Sequence, residues 1–157
     1  KVGDTLPNAT FTVMTSDGPK PKTTDEIFKG KKVVLFAVPG AFTPTCSAKH
    51  LPGFVQNAAA FKAKGVDTVA CISVNDAFVM GAWGKDQSAD DKVAMLADGS
   101  AAFTKALGLE LDLTARGMGV RSQRYSMLLD NGVVKSLNVE GPGKFEVSDG
   151  ATMLKQA

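Results

Sequence analysis

The hydrophobic positions of this chain fall into short continuous runs separated by Gly, Pro, Asn and Asp. That pattern predicts buried strands alternating with helices. Val33 to Val38 (VVLFAV) and Thr68 to Val74 (TVACISV) are apolar at almost every position and rich in β-branched residues. Strands covered on both faces of a sheet read this way. Val93 to Ala97 is a third core strand, followed by the turn Asp98-Gly99. Ala9 to Met14 predicts a first strand, closed by the turn signal Ser16-Asp17-Gly18-Pro19.

Caps and helical spacing fill the intervals. Thr24-Asp25-Glu26 caps a short helix ending near Gly30. A longer helix starts near Pro44, is kinked or interrupted at Pro52-Gly53, and continues to Lys64-Gly65. Asn75-Asp76 caps a helix over Ala77 to Lys85, and Ala101 to Leu107 forms another, ended by Gly108. Leu109 to Gly119 reads as an irregular connection. Its Gly117-Met118-Gly119 is a flexible connector, because a dinucleotide fingerprint needs a strand before it and a helix after it. Tyr125 to Leu129 and Val133 to Val139 flank Asp130-Asn131-Gly132, a strong hairpin signal. Gly141-Pro142-Gly143-Lys144 reads as a plain turn and Ser148 to Gln156 as a closing helix. This order predicts one α/β domain over residues 1–157, of thioredoxin-like type, with a central mixed β-sheet flanked by helices.

Composition narrows the function. A chain of 157 residues can bury roughly 68–70% of its unfolded surface, so no disulfide framework is needed to hold the core. The two cysteines therefore suggest a reducing compartment. The expected location is cytoplasmic, or organellar if a targeting segment has been removed. With 18 basic and 16 acidic residues, the net charge of +2 is too balanced to imply a nucleic-acid or anionic-membrane partner. No apolar run approaches the roughly 18 residues of a membrane span. One histidine and two cysteines cannot readily build a tetrahedral zinc site, and no metal or other cofactor is expected.

The chemistry concentrates between Val33 and His50, VVLFAVPGAFTPTCSAKH. A buried strand ends at Pro39-Gly40, and Cys46 falls in the first turn of the next helix. There a thiol meets unpaired N–H groups and the positive end of the helix dipole, which favour the reactive thiolate. Free cysteine also packs as a small buried hydrophobe, so position alone does not decide. Thr43 lies three residues earlier and can share the side of the turn with Cys46. Thr43-Pro44-Thr45-Cys46 has the spacing of a C-x-x-C motif with threonine in the first place. Dithiol exchange is thereby excluded, and a lone activated thiol remains beside a hydroxyl that can donate and accept.

That pairing suits hydrogen peroxide or a small alkyl hydroperoxide. The thiolate attacks one oxygen, and the other leaves with developing negative charge that needs donors. Helix-start N–H groups, the Thr43 hydroxyl and a guanidinium would supply them. Pro39 and Pro44 would stiffen the loop and limit water, although each also suits a plain turn or first helical position. His50 follows Cys46 by four residues, and a Cys–His pair could serve acyl transfer. Nothing else specifies an acyl pocket, which leaves His50 a packing or polar role beside Pro52. Cys71 lies inside an apolar run and reads as a buried strand residue. A resolving thiol there would need access and Cα atoms within about 7 Å. Phe54, Phe61, Phe78, Met80 and Trp83 have helical spacing and read as core or interface, while Phe42 is expected to make a contact in the reactive loop.

Four segments resemble the peroxiredoxin 5 subfamily, also called type II peroxiredoxins. They are Pro39-Gly40-Ala41-Phe42-Thr43-Pro44-Thr45-Cys46-Ser47, His50-Leu51-Pro52-Gly53-Phe54, Ser73-Val74-Asn75-Asp76 and Arg124-Tyr125-Ser126-Met127. The resemblance runs from Val2-Gly3-Asp4 to the last helix. It implies a thiol peroxidase acting on a hydroperoxide. The family pattern P-x-x-x-T-x-x-C falls on Pro39, Thr43 and Cys46. It implies that Cys46 is the peroxidatic cysteine, that Thr43 positions and polarises the peroxide, and that Pro39 shields the pocket. It also implies an arginine before the fifth core strand, which is Arg124 by register with R-[FY]-S-M. Arginine stays charged and presents its donors in a rigid plane. Arg121 is the runner-up as an outer contributor. Some relatives carry a resolving cysteine near the C-terminus, whereas Val139 to Ala157 contains none. That departure favours a one-cysteine cycle with an outside reductant, glutathione with glutaredoxin or thioredoxin. The resemblance further implies a homodimer with its interface near the active-site loops. Two rivals use the same thiol: a peroxide-sensing redox signalling protein, and a thiol–disulfide oxidoreductase, against which Thr43 stands.

Overall fold

A computed structural model describes residues 1–89, 92–141 and 143–157, so Pro142 of the expected 141–144 turn lies outside the described residues. The elements are β1 (Thr10–Thr15), β2 (Gly18–Thr23), α1 (Thr24–Phe28), β3 (Lys32–Ala37), a wide helical turn (Cys46–His50), α2 (Leu51–Gln56), α3 (Ala58–Ala63), β4 (Thr68–Ser73), α4 (Ala77–Asp86) and β5 (Ala94–Ala97). There follow α5 (Ala102–Leu107), β6 (Glu110–Leu113), a 3₁₀ turn (Thr114–Arg116), β7 (Gly119–Ser122), β8 (Tyr125–Asp130), β9 (Val133–Val139) and α6 (Gly150–Gln156). Seven strands form one sheet in the order β2-β1-β5-β4-β3-β8-β9. The β3/β4 and β4/β5 pairs are parallel. Antiparallel pairs flank them on both sides. The expected central mixed sheet with helices on its faces is therefore the observed one. Among the described residues no helix is long and apolar enough to cross a membrane.

The two-residue alternation of β3 divides the core. Val34, Phe36 and Val38 join a cluster that holds Cys46, Leu51, Phe54, Phe61, Met80, Trp83 and Met153. Val33, Leu35 and Ala37 join the opposite cluster with Ile27, Phe28 and Phe103. On the first face Phe36 stacks on Phe54 with ring centroids 4.0 Å apart, and Phe54 in turn meets Phe61 at 5.8 Å. The strand ahead of the reactive loop is thus anchored on both sides.

Three expectations need correction. Residues 18–23 are not only a turn: they form β2, paired along its length with β1. An edge strand tolerates Pro19 and Pro21 because half of its N–H groups face no neighbour. Leu109 to Gly119 is not irregular throughout, since β6 and β7 pair as a two-stranded ribbon with the 3₁₀ turn between them. Gly117 (φ 75°) ends that turn and Gly119 (φ 66°) opens β7. The Asp112, Glu110 and Arg121 charges of this ribbon hid its strand character. Finally, the helix after Pro44 does not break at Pro52. It widens before it, where the Leu51 N–H reaches back five residues to the Cys46 carbonyl, and it breaks later, at Asn57. A proline ring collides with the carbonyl four residues earlier in a regular helix, and the wider turn relieves that conflict. The Asp130-Asn131-Gly132 hairpin holds as expected, with Asn131 at φ 52° and Gly132 at φ 77°.

Helix α6 docks on α2 through two glycines. A Cβ on Gly150 would lie 2.8 Å from the Gly53 carbonyl oxygen and 2.9 Å from its carbon. That backbone contact explains Gly53 inside a helix, and it places the residues before α6 against the Cys46 segment. Gly150→Ala is expected to push the two helices apart and cost about 1–3 kcal/mol, as overpacking does. Urea unfolding with an unchanged midpoint would refute the contact.

Candidate active site

The sheet register assembles the site. In the antiparallel β3/β8 pair Ala37 lies opposite Tyr125. The residues after β3 therefore start where β8 begins, and Arg124, 78 positions after Cys46, arrives beside the reactive loop. The Arg124 carbonyl also accepts from the Glu140 N–H at 2.9 Å, which extends the β8/β9 ladder by one residue and fixes the arginine backbone.

The loop between β3 and the helix is tightly held. Ala41 N–H donates to Asn75 Oδ1 at 3.0 Å, and the Ser73 hydroxyl donates to the same oxygen at 2.6 Å. Gly40 is closely overlaid: a Cβ there would come within 3.1 Å of Arg121 Nη1 and 3.2 Å of Thr43 Cγ2. Arg121 is itself anchored by Nε donating to the Met118 carbonyl at 2.9 Å, so it packs over the loop. Phe42 is in the left-handed region (φ 64°), half exposed, with its ring 6.4 Å from Trp83.

Cys46 lies in the first helical turn, where the earliest N–H groups have no helical carbonyl behind them. It is fully buried. Arg124 Nη2 donates to its sulfur at 3.2 Å. This bond sets a positive charge directly against the sulfur. Arg124 Nη1 lies 2.9 Å from His50 Nδ1, and His50 Nε2 lies 2.9 Å from the Ser148 carbonyl oxygen. A guanidinium only donates and a carbonyl only accepts, so both bonds require neutral His50 with its proton on Nε2. Burial, and then the adjacent Arg124 charge, lower the His50 pKa from 6.5 to about 3, against smaller raising effects of the Ser148 bond, Glu140 and Asp149. His50 therefore has the polar role expected of it, directed at Arg124.

Thr43 is in the loop, half-buried, and its hydroxyl donates to the Gly40 carbonyl at 2.7 Å. Its hydrogen is thus committed, and its oxygen lone pairs are what it offers a ligand. Pro39 and Arg124 line one cleft of about 280 Å³ together with Thr45, Leu111, Gln123 and Glu140. Larger clefts exist elsewhere, around Met14 and Lys85 for instance, but they hold no member of this cluster. Pro44 opens the helix at its first position. Cys71 is buried in β4, opposite Phe36 on one side and Met95 on the other. Burial first and the Cys46 charge second push its thiol well above the ordinary range.

The aromatic stripe divides. Phe54, Phe61, Met80 and Trp83 are core, whereas Phe78 is exposed. Sequence reasoning passed over Glu140, Ser148 and Phe145. Glu140 is buried and accepts from the N–H groups of Glu146, Val147 and Ser148 and from the Ser148 hydroxyl. Burial raises its pKa, but these four donors outweigh burial and hold it below the usual carboxylate range. The Phe145 ring lies 5.9 Å from the Arg124 guanidinium carbon and 5.0 Å from the His50 ring. No local pattern flags these residues, because a glutamate at a strand end before glycines reads as surface.

Four likenesses bear on this geometry. Residues 1–154 match the Redoxin family model. The chain is 53% identical over 158 residues to peroxiredoxin-2E, chloroplastic, of Arabidopsis thaliana, covering 98% of this chain and 68% of that one. It is 50% identical to peroxiredoxin-2B of the same plant, covering 98% and 96%. Among solved structures, reduced Prx3 of Vibrio vulnificus in complex with H2O2 superposes with a TM-score of 0.95 at 59% identity, covering 99% of this chain and 98% of that one. With a thioredoxin-like sheet, a buried thiol under a guanidinium and these relatives, the chain belongs to the Redoxin family and is a peroxiredoxin, a thiol peroxidase with Cys46 as its buried peroxidatic cysteine.

Proposed function

We propose that this peroxidase runs a one-cysteine cycle on hydrogen peroxide and small alkyl hydroperoxides, with Arg124 and Thr43 as its substrate-contacting partners. The observation that carries the reading is Arg124 Nη2 at 3.2 Å from Cys46 Sγ in a buried setting. The Cys46 thiolate attacks one peroxide oxygen; an S–O bond forms and the O–O bond breaks. The departing oxygen takes the electron pair and then a proton, leaving as water or an alcohol, while the sulfur becomes a sulfenic acid. Arg124 stabilises the charge before attack on sulfur and after it on oxygen. Thr43, whose hydrogen is held by Gly40, accepts the peroxide O–H and orients it. Pro39 forms part of the cleft wall and excludes water.

A first glutathione thiol then condenses with the sulfenic acid, releasing water and forming a mixed disulfide. A second thiol, from glutathione through glutaredoxin or from thioredoxin, attacks the glutathione sulfur; the mixed S–S bond breaks, Cys46 leaves as its thiolate, and the glutathionyl group departs in a new disulfide. Cys71 is a poor resolving thiol because it is sealed in β4 with a raised pKa. A homodimer is the proposed assembly. The exposed Phe42 and Phe78, on segments joined through the Ala41–Asn75 bond, supply an apolar surface beside the reactive loop.

Cys46→Ser is expected to abolish peroxide consumption, and Cys71→Ser to keep most of it. Arg124→Ala is expected to slow sulfur oxidation roughly 100-fold or more. Trp83 can report this in stopped flow, since its Nε1 donates to Ser47 beside Cys46 at 3.0 Å. Intact mass after peroxide and glutathione should show an adduct on Cys46; a Cys46–Cys71 bridge instead would overturn the one-cysteine cycle. For the assembly, Phe42→Ser should shift sedimentation toward the monomer, and an unaltered dimer would remove that surface from the interface.

The buried His50 also makes acid stability testable. Its folded pKa is below its unfolded value of 6.5, so below that pH the unfolded chain binds a proton the folded chain refuses. Its contribution is full above pH 6.5 and is lost as pH falls toward about 3. The urea midpoint should start to drop near pH 6.5 in the parent. His50→Gln should stay flatter until carboxylates titrate, and parallel curves would mean that His50 is not held neutral.

A further inference from the structure

Glu140 takes no part in the steps above, yet among the described residues no other carboxylate accepts so many hydrogen bonds. Its Oε2 accepts from the N–H groups of Glu146 at 2.9 Å, Val147 at 2.8 Å and Ser148 at 2.7 Å, and from Ser148 Oγ at 2.7 Å. Oε1 also accepts from Glu146 N–H at 2.9 Å. Glu140 and Arg124 line the same cleft, but among the described residues no ion pair joins the two. The negative charge of Glu140 is held by backbone donors, so the guanidinium remains free to face the sulfur.

What those donors belong to is the segment 145–148, and that segment is applied to the back of Arg124. The Ser148 carbonyl holds His50, His50 receives Arg124 Nη1, and Arg124 Nη2 reaches Cys46. Phe145 presents its ring to both the guanidinium and the imidazole. We propose that Glu140 is a positioning residue for peroxide attack: its carboxylate folds residues 145–148 back on the strand end, and that fold holds His50 and Phe145 where they aim Arg124 at the sulfur. The inference rests on Arg124 being the donor to the reacting atoms. The Glu140 backbone anchors Arg124 independently, by N–H to carbonyl, so a side-chain substitution leaves the β8/β9 ladder in place.

A double-mutant cycle on a Cys71→Ser background tests it. Peroxide oxidation of Cys46 is followed by Trp83 fluorescence in Glu140→Ala, Glu140→Gln, Arg124→Ala and the two Glu140/Arg124 pairs. Iodoacetamide alkylation of Cys46 is measured across pH in each. Glu140→Ala is expected to slow oxidation by ~10- to 100-fold, the scale of misaimed groups. Glu140→Gln should fall between it and the parent, because an amide oxygen can still accept from Ser148. On Arg124→Ala either change should cost under about twofold. Alkylation of the fully ionised thiol should not fall, since it generates no oxyanion for Arg124 to stabilise.

Equal losses with and without Arg124 would overturn the proposal, as would alkylation falling in parallel with oxidation. Parent-like oxidation in Glu140→Ala would overturn it while leaving the reading of Arg124 intact. Parent-like oxidation in Arg124→Ala would overturn both. If Glu140→Ala fails to fold, the cycle stands on Glu140→Gln, and a loss below twofold there overturns the proposal.

Discussion

A thiolate in a protein interior needs a cation, and the cation needs somewhere to be held. The Arg124–Cys46 contact is where this structure answers both needs. Removing either charge from water is costly unless the other is close and the remaining donors are occupied. The surroundings meet that condition. The sulfur is enclosed by the core cluster of Val38, Leu51 and Phe54, and the second guanidinium nitrogen is taken by a neutral imidazole. A protonated His50 would set two donors against each other and place a second positive charge beside the first. Its depressed pKa comes first from burial and then from the Arg124 charge in this same contact.

The sheet explains why these groups meet at all. Parallel β3, β4 and β5 give the chain a buried strand end from which the Cys46 loop departs. The antiparallel β8 then runs back along β3, so that its first residues lie at that same end. The glycine contact between α2 and α6 brings residues 145–149 against the helix that carries Cys46 and His50. The widened turn at Cys46–His50 changes the angular spacing between these residues while leaving both inside. A regular helix would have given a simple i, i+4 pair. Here the imidazole serves the guanidinium, and it is the guanidinium that serves the sulfur.

Much of this was legible locally. Continuous apolar runs marked β3 and β4, Asp76 marked the start of α4, and Asn131-Gly132 marked the hairpin, because each follows from backbone preferences acting over a few residues. The edge strand β2 and the β6/β7 ribbon were not legible. Their residues are polar, proline-bearing or charged, and only pairing with a distant or neighbouring strand makes them strands. Cys46 and Thr43 were singled out by helix position and spacing, whereas the roles expected of Pro39, Thr43 and Arg124 came from the resemblance to a family pattern. The commitment of the Thr43 hydrogen to Gly40 was beyond such reading.

What the chain alone determined was a lone thiol at a helix start, an arginine ahead of a buried strand, and an α/β order able to hold them. These depend on short-range spacing and on hydrophobic periodicity, both written in consecutive residues. What the tertiary structure decided was which cation faces the sulfur, which tautomer His50 adopts and that Glu140 organises the segment behind them. Those are contacts across 74 to 98 positions or between a strand end and a turn. They are selected by register, burial and the need to satisfy every enclosed polar atom at once, and no window along the chain contains them.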